Sequence, residues 1–188
     1  VSGQQHGSVF VDSSGAVVRP AKLWCDTSTA EEAQLLTQKL GRSVPVGFTA
    51  SKVSWLARHE AENWQRTAHV LLPHDFINYR LTGSLTMEAG DASGTGWFDV
   101  KERQFDETAM NAVDKQLAGK VPRLLETGEV AGLLSENAAE ALGLPVGIPV
   151  APGGGDNMMS AIGSGATRSG VVVMSLGTSG TVFTRTDQ

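Results

Sequence analysis

Three consecutive glycines run straight into an acidic residue in "APGGGDNMMSAIGSG", Ala151–Gly165, and this stretch constrains the fold of the chain more than any other. Glycine loses more conformational freedom on folding than any other residue, so a run of three weakens the element that carries it. What it offers in return is access: a backbone without Cβ atoms turns sharply and lets other atoms come close. The run follows a β-prone segment, "VGIPVAP", and precedes a helix expected over Asn157–Ile162. Asp156 therefore stands near a helix N-terminus, where negative charge is stabilised by about 0.3–1 kcal/mol. Such a carboxylate can accept a hydrogen bond from a substrate hydroxyl. Equally, Gly153–Gly155 can form a plain turn with Asp156 as a helix cap.

A second candidate is "SLGTSGT", Ser175–Thr181, in which Gly177 and Gly180 bracket Thr178 and Ser179 between two apolar strands. A turn of this kind can aim backbone N–H groups and hydroxyls at one cluster of phosphate oxygens. The same residues also suit an ordinary β-hairpin turn. The P-loop pattern is excluded because its Gly-Lys-Ser/Thr is missing, and the serine-hydrolase elbow because Gly-x-Ser-x-Gly is not met. "GSGATRSG" likewise misses the dinucleotide-binding spacing. In "SGQQHG", His6 lies among polar residues and glycines at a strand edge, where an imidazole can bond a sugar hydroxyl or simply be exposed. Asp26 in "LWCDTST" and Asp91 in "GDASGTGWFD" read as structural, since loop aspartates usually satisfy nearby backbone. His59, His69 and His74 show no metal-ligand spacing with His6, so no metal site is expected.

Strands and helices alternate, with hairpins among them, which predicts an α/β fold. Ser8–Asp12 and Ala16–Arg19 read as a hairpin about Gly15. Ser28 and Glu31 form a capping-box pattern for a helix closed by Gly41. A helix is expected over Ser51–Arg66, a buried strand at "HVLLP", and a helix starting at Pro73 and ending near Gly83. Asp106–Leu117 and Ser135–Leu142 read as further helices, and the final apolar runs as two strands.

With 188 residues, 40% apolar and 19% charged, the chain is globular in composition and holds one domain, or one and part of another. A net charge of −5 with scattered lysines and arginines argues against nucleic acid. One cysteine, Cys25, forms no internal disulfide and fits a reducing cytoplasm. No apolar run reaches the roughly 20 residues that span a bilayer, so no membrane is expected. The chain opens on Val1 and stops close to a strand, and both ends read as cuts within a longer protein.

Taken in order, "SGQQHG", "LWCDTST", "GFTASKVSWLARHE", "LLPHDFINYRLTG", "GDASGTGWFDV", "GGGDN" and "SLGTSGT" resemble the FGGY carbohydrate kinases over nearly the whole chain. The third of these is similar to a signature of that family, with Lys52 and Trp55 in register. The resemblance implies an actin-like ATPase (ribonuclease H-like) fold of two domains, incomplete here. Residues 1–165 would be the later part of the sugar-binding domain, and 166–188 the first strands of the ATP-binding domain. It implies Asp156 as catalytic base, Gln5, His6 and Asn157 as sugar contacts, and Gly177, Thr178, Ser179 and Gly180 as a phosphate-binding turn.

ATP, with Mg2+, and a small sugar are the implied partners, and a homodimer is left open. "QQHG" and "DTST" lean toward the branch that phosphorylates D-xylulose over those for glycerol or gluconate, with another member acting on glycerol, gluconate or ribulose as the alternative. The family's first phosphate-binding hairpin and its adenosine-binding segments are missing, so the 188 residues alone are expected to be inactive. The link between Leu40 and Gly47 is shorter than usual, which puts a sugar contact from Arg42 in doubt. Two other readings stay open: a non-catalytic sugar-sensing relative, and a hydrolase with Ser179 as nucleophile.

Overall fold

Short strands spread along the chain come together around a layer of helices in the computed structural model, which describes residues 1–177 and 180–186. Ser2–Gly3 pairs parallel with Gly154–Gly155, so the two ends of the domain meet at the glycine run. Val9–Val11 pairs antiparallel with His69–Leu71, and all but the first residue of the second strand are buried. Thr86–Met87 lies parallel to Arg123–Leu124, and Gly132–Leu133 antiparallel to Pro149–Val150. A separate hairpin joins Val172–Leu176 to Gly180–Thr184.

The main core sits where helices Ala30–Leu40, Thr49–His59 and Glu107–Val113 pack together. Leu36, Val53, Leu56, Trp64, Trp97 and Met110 are buried there. The apolar spacing of these helices accounts for it: Ala33 and Leu36 share one face, as do Val53 and Leu56. Truncating a buried leucine of this kind to alanine typically costs about 2–5 kcal/mol.

Helix ends follow their punctuation. Gly41, Gly83 and Gly143 close helices in the left-handed conformation, with φ of 63°, 75° and 66°. Pro73 opens helix Pro73–Thr82, and the side chains of Asp106 and Ser135 accept hydrogen bonds from the first turns of their helices.

Four expectations change in whole or in part. The Ser28–Glu31 capping box does not form, because the helix begins at Ala30 and Ser28 Oγ instead accepts a 2.7 Å bond from Lys22 Nζ. The helix expected over 51–66 is two helices, Thr49–His59 and Ala61–Arg66, broken at Glu60, whose φ and ψ of −130° and 58° are not helical. The hairpin about Gly15 forms in short, with Val17 bridged to Val11 and the Val18 N–H donating to the Phe10 carbonyl at 2.9 Å, while the longer ladder of Val9–Val11 runs to His69–Leu71. The strand expected in "VGIPVAP" shrinks to Pro149–Val150, since proline donates no ladder hydrogen bond.

Candidate active site

The glycine run is a place where backbones and side chains crowd together. Gly153 has φ +75°, and a Cβ on it would stand 1.6 Å from the carbonyl oxygen of Val1. A Cβ on Gly154 would press on the methyl of Met159 at 2.9 Å, and Gly155 leaves the room in which the Gln5 side chain lies. Helix Pro73–Thr82 supports the run from below, with Asn78 Nδ2 donating to the Pro152 carbonyl at 2.6 Å. The run therefore ends in a fixed direction, and helix Asp156–Gly163 starts at once.

Asp156 is the first residue of that helix and is exposed, as is Asn157. Both line a cavity of about 290 Å³ whose other walls are Gln5, His6, Trp24, Ser175 and Thr181. Asn157 links the parts: its Nδ2 reaches Gln5 Oε1 at 3.5 Å, and its Oδ1 receives the Thr181 hydroxyl at 3.5 Å.

His6 adopts φ 64°, a conformation that costs a non-glycine residue about 1–2 kcal/mol. Its surroundings hold it there. The Thr49 hydroxyl donates to the His6 carbonyl at 3.2 Å, and the imidazole packs against Phe48 with ring centroids 5.0 Å apart. On its other side the ring touches Gly94, where a Cβ would come within 2.0 Å. Burial pushes the His6 pKa below its ordinary value and the Lys52 charge adds to this, against opposing pulls from Asp91, Gly94 and Asp156. The ring is therefore neutral at pH 7 and can both accept and donate a hydrogen bond.

Four of the residues singled out in the sequence, Gln5, His6, Asp156 and Asn157, thus surround one hollow. Gly177 and Gly180 stand at the end of the terminal hairpin, two of whose residues, Ser175 and Thr181, line the same hollow. Thr178 and Ser179, and with them the hydrolase reading, lie outside the described residues. Trp24 was missed. Its only signal was an exposed aromatic in a polar loop, and it is 50% exposed.

The two aspartates read as structural have structural partners. Asp26 accepts from the Ser28 N–H at 2.9 Å and pairs with Lys22 at 3.1 Å. Its hydrogen bonds to Ser28, with Lys22 assisting, hold its pKa down to about 2. Asp91 is buried and bonds His74 Nδ1 at 2.7 Å. Arg42 turns to the Gly96 carbonyl at 3.0 Å and to Asp106, and it is not among the residues lining the cavity.

This architecture is the N-terminal part of an actin-like ATPase fold, with a cavity at the meeting point of its first and last strands. Residues 1–163 match the N-terminal domain of the FGGY family of carbohydrate kinases, and the chain belongs to that family. The whole chain is 40% identical over 200 residues to a xylulose kinase of Haemophilus influenzae, of which it covers 41%. It is 43% identical over 198 residues to a xylulose kinase of Streptomyces rubiginosus, of which it covers 40%. Among solved structures, the xylulose kinase of Rhodospirillum rubrum superposes with a TM-score of 0.84 at 28% identity, over 97% of this chain and 39% of that one. A kinase of Brucella ovis superposes with a TM-score of 0.87 at 37% identity, over 97% of this chain and 39% of that one. The chain thus spans about two fifths of the length of these relatives. Among the described residues, no helix is long and apolar enough to cross a membrane.

Proposed function

We propose that the full-length protein transfers the terminal phosphoryl group of ATP to a hydroxyl of D-xylulose, giving xylulose 5-phosphate, ADP and a proton. The observation that carries this reading is the convergence of Gln5 and His6 with Asp156 and Asn157 on one cavity, across the length of the chain. Similarity to proteins named xylulose kinase supports the choice of sugar.

Phosphoryl transfer passes through a loose transition state, so the protein mainly positions groups and balances charge. Gln5, His6 and Asn157 hold the sugar hydroxyls, the imidazole working as a neutral donor and acceptor. Asp156 receives the hydrogen bond of the reacting hydroxyl and orients its oxygen toward phosphorus. A carboxylate is too weak a base to ionise a sugar alcohol beforehand, so it takes the proton late, as the new P–O bond forms. Gly177, Thr178, Ser179 and Gly180 are assigned to the phosphate oxygens on their residue types, glycines beside two hydroxyls.

Among the described residues no group of three or more His, Cys, Asp or Glu could hold a metal ion. Mg2+ arrives with the nucleotide as part of the substrate and neutralises its phosphates. Residues 1–165 serve as the later part of the sugar-binding domain, and 166–188 begin the ATP-binding domain. The family match ending at residue 163 supports that division. These 188 residues alone do not turn over. The protein works in the cytoplasm on sugar and ATP, with neither nucleic acid nor membrane as partner.

The test is a rate panel on the full-length protein with ATP and a series of ketoses, polyols and gluconate. D-xylulose should show the highest kcat/KM. A preference for glycerol or gluconate contradicts the substrate, and no phosphorylation of any member contradicts the kinase reading.

A further inference from the structure

Lys52 is a fully buried lysine behind the cavity wall, the fourth residue of helix Thr49–His59. Its ammonium group donates to three consecutive backbone carbonyls, Val46 at 3.0 Å, Gly47 at 2.7 Å and Phe48 at 3.3 Å. An ammonium has three N–H donors, so each finds one acceptor. The segment so held touches two walls of the cavity. Phe48 carries the ring that packs at a tilt against His6, and Gly47 lies so close to Trp24 that a Cβ would stand 3.3 Å from its carbonyl oxygen.

We propose that Lys52 is a positioning residue for sugar binding: its ammonium clamps the 46–48 segment that sets His6 and Trp24, so affinity depends on Lys52 keeping its proton. The inference rests on the sugar-kinase reading of the cavity. Loss of the proton leaves two N–H donors facing three carbonyls, and one buried carbonyl then meets a lone pair. The titratable groups facing Lys52 are Asp26 and Cys25, whose anionic forms favour the ammonium, and Lys22, which opposes it; His6 lies on the cavity side. Burial dominates and pulls the Lys52 pKa down to about 8. A pKa lowered on folding means the amine form gains as pH rises, so the clamp is closed below about 8 and released above it.

The experiment measures the dissociation constant of D-xylulose, without nucleotide, on the full-length protein between about pH 7 and pH 9.5. Affinity should fall about tenfold across that range, the effect of losing one charge-assisted hydrogen bond. Lys52→Arg should keep its affinity at alkaline pH, and Lys52→Met should be weak and independent of pH. Cys25→Ser should leave the alkaline fall in place, which separates Lys52 from the nearby thiol.

A second readout needs neither sugar nor a stable Lys52 variant. In wild-type protein carrying 13C-labelled histidine, the His6 resonance, assigned by its loss in His6→Gln, should show an inflection near pH 8. Constant affinity across the range, an alkaline fall that persists in Lys52→Met, or no such inflection overturns the clamp while leaving the kinase reading intact. An inflection in a protein that binds no sugar overturns the kinase reading, and the positioning role with it.

Discussion

The side chain of Gln5 lies across Gly155 so closely that a Cβ there would stand 2.4 Å from Gln5 Cγ. This contact joins the turn that follows the first strand, Ser2–Gly3, to the residue before Asp156. It explains why the third glycine of the run cannot be exchanged without moving a wall of the cavity.

Gly155→Ala should therefore displace Gln5 rather than merely stiffen the chain. Overpacking of this kind typically costs about 1–3 kcal/mol. In the full-length enzyme, kcat/KM for D-xylulose should fall at least about tenfold, because roughly 1.4 kcal/mol corresponds to that factor. Steady-state kinetics beside a denaturation midpoint check it. A variant with normal kinetics would show that Gln5 has no part in holding the sugar.

Trp24 should act on affinity more than on turnover. It is half exposed at the cavity wall, and covering an aromatic surface is worth about 1.5–3 kcal/mol. Trp24→Ala should raise the sugar KM about tenfold or more with kcat little changed, and initial-rate measurements separate the two. An unchanged KM would mean the indole stands clear of bound sugar.

Beneath the site, His74, Asp75 and Asp91 are buried together, with His74 Nε2 3.2 Å from Asp75 and Nδ1 2.7 Å from Asp91. Burial lifts the Asp75 pKa to about 8, against the pull of His74 and of the Leu72 N–H. Burial pulls His74 down, but its hydrogen bond to Asp91 and the charges of Asp75, Asp91 and Glu88 outweigh it, so its pKa is raised. Both groups hold a proton more tightly when folded. Stability from His74 is present below its unfolded value and lost as pH rises through the folded one. Asp75 adds a loss in the same direction, which grows from the ordinary carboxylate range up to about 8. The urea midpoint of the full-length protein should fall from pH 6 to about pH 8.5, and Asp75→Asn should flatten that fall. An identical pH slope in the variant would rule out Asp75 as a source.

Much of this was legible in the sequence where one residue decides one local conformation. Gly41 and Gly83 end helices because only glycine enters the left-handed region freely, and Pro73 starts one because its missing N–H has no partner there in any case. The candidate site was legible where small residues surrounded a polar one, as at Asp156 and His6. What escaped was decided by distant neighbours. Lys22 takes the Ser28 hydroxyl away from its helix. Val9–Val11 finds its strand partner some sixty residues later, at His69–Leu71. Trp24 gains its place only when the 20–28 loop folds beside Gly47. The three carbonyls around Lys52 likewise converge only once the helix forms, so spacing alone could not reveal them.

The central claim is that the Asp156 carboxylate guides the sugar hydroxyl onto phosphorus. Its most direct test is single-turnover phosphorylation of D-xylulose by full-length Asp156→Asn, which keeps the shape of the side chain but removes the proton acceptor. The rate should fall roughly 10²–10⁴-fold, with sugar affinity changed only a few-fold. A rate close to wild type would contradict the account.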